Sequence, residues 1–251
     1  MRQGSLTIAG LGPGDDALVT PEVTAALENA SDVIGYIPYI ARIARRPGLT
    51  LHASDNRVEL VRARHALELA CDGHHVVVVS SGDPGVFAMA AAIFEAVESG
   101  AEHWRDLDIR VLPGITAMLA AAARCGAPLG HDFCAINLSD NLKPWPLIKK
   151  RLRLAVEADF AMGLYNPRSN ARPEGFGRAL SLLQHICDDQ RPMIFARAVS
   201  TEAEHIRIVT LPQAVPEMAD MRTLVLLGSS TTRLINRAGQ PFVYTPRSVS
   251  A

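Results

Sequence analysis

Three β-rich runs in the first half of this chain each end in a glycine-bearing turn, and this pattern constrains the fold more than any other feature. Leu6-Thr7-Ile8-Ala9 runs into Gly10-Leu11-Gly12-Pro13-Gly14, and His75-Val76-Val77-Val78-Val79-Ser80 into Ser81-Gly82-Asp83-Pro84-Gly85. Ile109-Arg110-Val111-Leu112 runs into Pro113-Gly114. Helix-period segments separate the runs, an alternation that builds a largely parallel sheet. The unbroken β-branched stretch from 76 to 79 suits a central strand covered on both faces. In such a sheet ligands bind at the carboxyl edge of the strands, where all three turns would lie. One glycine turn alone reads as a tight turn that binds nothing; three in one place point to a ligand.

The intervening helices carry their own signals. Thr20-Pro21-Glu22 opens a helix through Asn29, with Thr20 as N-cap and Pro21 in the first helical position. Leu60, Ala63, Leu67 and Ala70 mark one face of a long helix. Further helices are expected at about 87–98 and 115–125, and an irregular stretch after Val33-Ile34. Gly126-Ala127-Pro128-Leu129-Gly130 clusters turn formers and reads as a linker, which divides the chain into domains 1–127 and 128–251. Beyond it, strands are expected at 133–137, 160–165, 193–198, 206–210, 223–227 and 242–244, with helices at 145–158 and 175–187. Consecutive late strands imply a mixed sheet. The expected fold is therefore α/β in two domains, the first sheet mainly parallel and the second mixed.

Composition narrows the partners. A formal net charge of −1 gives no basic excess of the kind nucleic-acid binding calls for. Cys71, Cys125, Cys134 and Cys187 lie far apart with no C-x-x-C pair, which argues against a zinc or iron–sulfur site and suits a reducing compartment. His74 and His75 would point to opposite faces of a strand, which disfavours a shared metal. No apolar signal region opens the chain and no window holds 18 unbroken apolar residues, so the expectation is a cytoplasmic protein with no membrane partner.

The first turn invites a dinucleotide reading, but its details conflict with one. Asp15 stands where that fingerprint needs its last glycine, Pro13 removes a backbone donor, and Gly35-Tyr36 occupies the place of the ribose-binding acid.

In order and spacing, Gly10-Leu11-Gly12-Pro13-Gly14-Asp15, Leu18-Val19-Thr20-Pro21, Gly82-Asp83-Pro84 and Pro113-Gly114-Ile115-Thr116-Ala117 resemble the tetrapyrrole methylases. That resemblance implies an S-adenosylmethionine-dependent methyltransferase of non-Rossmann fold, with two α/β domains around the cofactor and usually a homodimer. A narrower likeness lies in the segments 138–145, 158–160 and 164–169, ending in Tyr165-Asn166-Pro167-Arg168-Ser169. These resemble the branch of the family that methylates carbon 17 of a tetrapyrrole and contracts its ring. Its cobalt-free members act on precorrin-3B; cobalt-dependent counterparts share most of the same segments.

By resemblance, the cofactor is held by Gly12, Pro13, Gly82, Asp83, Val86, Thr116 and Ala117, and from the second half by Tyr165, Asn166, Ala196 and Thr223; the product is S-adenosylhomocysteine. Backbone N–H groups at Thr116 and Ala117 suit a carboxylate, though Thr116 equally suits a helix cap. A substrate with eight carboxylates calls for arginine forks, and Arg57, Arg62, Arg151 and Arg168 are near the matched segments; the alternative for each one singly is a solvated surface arginine. Tyr36 and Tyr39 are candidates for packing on the macrocycle, the alternative being ordinary half-buried tyrosines. Ring contraction starts with loss of a hydroxyl proton and needs a general base. Asp15, Asp55, His131 and Asp140 are the titratable residues nearest the motifs, with Asp140 preferred and Ser139 beside it; the alternative for Asp140 is an Asx turn or helix cap.

Overall fold

The computed structural model describes residues 4–55, 58–187 and 190–248. The chain divides into two compact units, Met1–Thr116 and Ala117–Ala251.

The first unit contains β1 (Ser5–Gly10), α1 (Pro21–Asn29), β2 (Asp32–Tyr36), α2 (Ile37–Ile40), β3 (Thr50–Ser54), α3 (Glu59–Cys71), β4 (His75–Ser80), α4 (Met89–Ser99) and β5 (Asp108–Leu112). Its five strands form one sheet in the order β3-β2-β4-β1-β5. Every pairing in it is parallel. Strand alternation sends Val76 and Val78, with Leu6, Ile8 and Ile34, against Ala63, Ala66 and Leu67 of α3 and Ile93 of α4. Val77, Val79, Ala9 and Val33 face the other way, packing with Val23 of α1. Both faces are thus covered, which is why the run at 76–79 is apolar without interruption.

Thr20 caps α1 as its sequence predicts, its Oγ1 accepting the Val23 N–H at 3.3 Å. Leu60, expected on the buried face of α3, is 45% exposed. It falls in the first turn of the helix, where Arg62 takes the inward position and donates to Ser54 Oγ (2.8 Å) and the Asp55 carbonyl (2.7 Å). The stretch after β2 is more regular than its sequence suggests, since it holds α2 and the edge strand β3. The helix expected from residue 87 starts at Met89, because Phe87 has a left-handed backbone (φ 55°) that no helix accommodates.

The second unit contains α5 (Ala117–Cys125), β6 (Gly126–Ala127), β7 (Phe133–Asn137), α6 (Trp145–Glu157), β8 (Ala161–Tyr165), α7 (Gly175–Ile186), β9 (Pro192–Arg197), β10 (His205–Thr210), β11 (Thr223–Leu227), β12 (Arg233–Ile235) and β13 (Phe242–Tyr244). The main sheet runs β10-β9-β11-β8-β7. It is mixed: β7 and β8 are parallel, and the other pairs antiparallel. One face carries α6 and α7 over a core that includes Leu152, Phe176, Leu164 and Phe195. Gly163 of β8 lies under Met118 of α5, so close that a Cβ would overlap the Met118 sulfur. The division at Thr116/Ala117 falls before the expected linker, and α5 belongs with the second unit. Gly126-Ala127 of that linker pairs with β13, which with β12 makes a small separate sheet.

Candidate active site

In the first unit β1 lies between β4 and β5, so the three glycine turns that follow these strands are neighbours. They interlock through backbone. Gly82 N–H donates to the Gly12 carbonyl at 2.8 Å, and Gly12 N–H to the Gly82 carbonyl at 3.2 Å. A Cβ on Gly10 would stand 2.5 Å from the Gly82 carbonyl oxygen and 2.8 Å from Gly114 Cα, closer than any real side chain allows. Glycine is therefore a steric requirement at that crossing, and backbone lines the edge. Asp83 completes the lock: its Oδ1 accepts the Gly85 N–H at 2.8 Å and its Oδ2 the Gly114 N–H at 3.0 Å.

The expected cofactor residues of this unit, Gly12, Pro13, Gly82, Asp83, Val86 and Thr116, thus fall in one turn cluster; Thr116 is buried. Asp15 has a local task, accepting the Ala17 N–H at 2.9 Å as cap of a short 3-10 helix. Tyr36 and Tyr39 pack edge to face with ring centroids 5.3 Å apart. Burial, then the neighbouring Tyr36, pushes the Tyr39 hydroxyl above its ordinary pKa, so it stays protonated. Burial pulls the Arg62 guanidinium below its ordinary value, though an arginine remains charged at neutral pH. Arg57 lies outside the described residues.

In the second unit the parallel pair β7 and β8 again presents carboxyl ends side by side, with Asn137 opposite Tyr165. Asn137 Oδ1 accepts two donors, the Ser139 N–H at 2.9 Å and the Asn166 amide at 3.2 Å. Since the Ser139 N–H can only donate, the Asn137 oxygen must face it, and that fixes which end of the Asn166 amide points inward. Asn166 adopts a left-handed backbone (φ 50°), tolerated by asparagine at such a turn. Tyr165 Oη accepts the Met118 N–H at 3.3 Å, satisfying an orphan donor in the first turn of the helix that Ala117 begins.

Asp140 Oδ2 pairs with Arg178 of α7 at 2.9 Å, and the Arg178 guanidinium lies 4.7 Å above the Trp145 ring. Around Asp140 gathers positive charge: burial, then the charges of Arg151 and Arg172, lower the Lys143 pKa, against a smaller opposing effect from Asp140. Arg151 was named from sequence and Lys143 stands inside the matched 138–145 segment without a role given to it, whereas Asn137, Arg172 and Arg178 carry no sequence signal and reach Asp140 or its neighbours only in the fold. Arg168 is half-buried beside Pro167. Ala196, in β9, and Thr223, in β11, are buried on adjacent strands. Thr223 Oγ1 donates to Asp220 Oδ1 at 2.7 Å. Asp55 lies beside Arg62, and His131 bonds the Asp132 N–H at 2.8 Å.

A parallel sheet whose glycine turns interlock at its carboxyl edge, with a second mixed sheet, defines a class of α/β enzymes distinct from the Rossmann folds. A family model for the Tetrapyrrole (Corrin/Porphyrin) Methylases matches residues 5–215, and the chain belongs to that family. It is 51% identical over 245 residues to a precorrin-3B C(17)-methyltransferase of Sinorhizobium sp, covering 97% of this chain and 96% of that one. A probable cobalt-factor III C(17)-methyltransferase of Salmonella typhimurium is 39% identical, with 90% and 93% of the two chains covered. The crystal structure of the methyltransferase CobJ superposes with a TM-score of 0.92 at 63% identity, covering 97% of this chain and all of that one. A uroporphyrin-III C-methyltransferase from Thermus thermophilus, solved with S-adenosylhomocysteine, has the same fold (TM-score 0.66, 22% identity, 90% and 97% covered).

Proposed function

We propose that this chain is a precorrin-3B C(17)-methyltransferase, transferring a methyl group from S-adenosylmethionine to carbon 17 and contracting the macrocycle to precorrin-4 in cobalamin biosynthesis. The observation that carries the reading is the 51% identity to a precorrin-3B C(17)-methyltransferase over nearly the full length of both chains.

The residues present suit that chemistry. S-adenosylmethionine supplies an activated methyl group and leaves as S-adenosylhomocysteine. A backbone-lined edge at Gly12, Pro13, Gly82, Asp83 and Val86 lets a ligand approach the main chain closely, and Thr116 and Ala117, where α5 begins, stand at a helix N-terminus of the kind that suits its carboxylate. Tyr165, Asn166, Ala196 and Thr223 are our candidates for its remaining contacts. Lys143, Arg151 and Arg172 concentrate cationic charge beside Asp140, which suits the carboxylates of the macrocycle. We assign Asp140 as the group that takes the hydroxyl proton at the start of contraction, held by Arg178 and next to Ser139. Migration of the ring bond then extrudes the hydroxyl-bearing carbon as an acetyl group.

We further propose a homodimer working in the cytoplasm, with no nucleic-acid or membrane partner. A net charge of −1 supports the first exclusion. Among the described residues no helix is long and apolar enough to cross a membrane.

The test is incubation of the purified protein with methyl-labelled S-adenosylmethionine and precorrin-3B without cobalt, reading label by mass spectrometry and the new acetyl group by NMR. A labelled, contracted ring is expected. Transfer only to the cobalt-containing ring would assign the chain to the cobalt-dependent reaction, and silence on both would overturn the branch assignment. Analytical ultracentrifugation tests the dimer.

A further inference from the structure

We propose that His52 and His65 form a two-histidine site for a divalent transition-metal cation of the copper, nickel and zinc group, stapling the edge strand β3 to α3. His52 Nδ1 and His65 Nε2 lie 3.3 Å apart, with the rings inclined at 70°. A cation bonded to both nitrogens at the usual length of about 2.0–2.1 Å would subtend an angle of about 107° across that gap, close to tetrahedral. The two imidazoles are therefore already spaced as neighbouring ligands of one ion.

The far side of His52 gives independent support. Its Nε2 bonds Oδ1 of Asp32 at 2.8 Å, and Asp32 is 3% exposed, held also by Ser31 Oγ (2.8 Å) and His74 Nδ1 (2.7 Å). A buried carboxylate so placed keeps the proton of His52 on Nε2 and leaves the Nδ1 lone pair directed at His65. This carboxylate–histidine arrangement orients metal-ligating imidazoles and raises their basicity. Without a metal, His65 Nε2 donates its proton into the same lone pair; with one, His65 shifts to its other tautomer and no net proton is released. His65 is exposed, so an ion reaches the site from solvent.

Among the described residues no group of three or more His, Cys, Asp or Glu side chains is placed to hold a metal. The protein therefore supplies two ligands and water the rest, and binding is weaker than in a closed four-ligand site. Affinity follows the series in which copper(II) exceeds nickel and zinc.

The experiment uses the full chain, without a polyhistidine tag and stripped with EDTA, titrated with copper(II), nickel(II) and zinc(II) by calorimetry, with EPR of the copper form. One saturable copper(II) ion per chain is expected, with a nitrogen-ligand signature in EPR and a raised melting temperature. His65→Ala, an exposed change that leaves the Asp32 network intact, should abolish that ion and its thermal effect. Asp32→Asn should weaken binding by about 10–100-fold. Equal copper binding by wild type and His65→Ala, or no saturable ion in the wild type, would overturn the proposal.

Discussion

Asp83 Oδ2 accepts the Gly114 N–H at 3.0 Å, so a side chain from the turn after β4 holds the backbone of the turn after β5. Its other oxygen holds Gly85 within its own turn at 2.8 Å. Asp83→Asn keeps the shape but turns one acceptor into a donor that faces an N–H. Hydrogen bonds to charged groups are worth about 1.5–3 kcal/mol, so a loss of S-adenosylhomocysteine affinity of about 10–100-fold is expected. Calorimetric titration of wild type and variant checks it, with circular dichroism confirming that the fold persists.

The turn crossing is also sterically closed. At Gly114, as at Gly10, an added Cβ meets backbone of a neighbouring turn, and backbone cannot swing aside as a side chain can. Gly114→Ala should cost about 1–3 kcal/mol or more by overpacking. Gly163→Ala meets the Met118 side chain at its sulfur and Cγ, atoms that can repack where backbone cannot. It should be milder, and the added change Met118→Ala should relieve part of the strain. Urea unfolding of the three variants orders them.

How far sequence led to these contacts depended on their range. The strands came through because Val76 to Val79 and the aliphatic 223–227 run each bury both faces, and burial on both faces leaves a mark in composition. The glycine turns were visible as a set, since each follows a strand directly. The edge strand β3 was not: Thr50-Leu51-His52-Ala53-Ser54 is half polar, and it is a strand because β2 pairs with it. Arg178 lay hidden for a similar reason. Its link to Asp140 spans 38 residues and arises only when α7 packs on α6, and no local pattern records that. Asp15 shows the opposite limit, because its place in a matched motif suggested chemistry and gave no hint that its carboxylate also caps the 3-10 helix that starts at the next residue.

Asp32 makes stability depend on pH. Burial raises its pKa, but hydrogen bonds from His52, Ser31 and His74, with the charge of His74, outweigh burial and leave it below the ordinary value. A carboxyl lowered in the folded state contributes stability above its unfolded pKa, about 3.9, and loses it as pH falls through the folded value. Asp32→Asn should therefore lower stability at pH 7 by about 1.5–3 kcal/mol and flatten the acid limb of the stability curve below pH 4. Denaturant unfolding at several pH values from 7 down to 3 is the measurement.

The Asp140–Arg178 pair separates the two halves of the proposed reaction. Methyl transfer needs alignment and exclusion of water, and in the proposed mechanism Asp140 has no part in either. Contraction needs a base at the hydroxyl, and a positioned base contributes about 10²–10⁴-fold. Asp140→Asn should therefore slow appearance of the acetyl group by that factor and change methyl transfer much less, so that a methylated, uncontracted ring accumulates. Arg178→Ala removes the partner at 2.9 Å and the stacking on Trp145, freeing the carboxylate to turn away. Arg178→Lys keeps the charge but not the planar fork, and should recover only part of the loss. Mass spectrometry of the products of single-turnover reactions distinguishes the two steps. Equal loss of both steps in Asp140→Asn would place this carboxylate in substrate binding rather than in proton removal, and Asp55 would be the next residue to change.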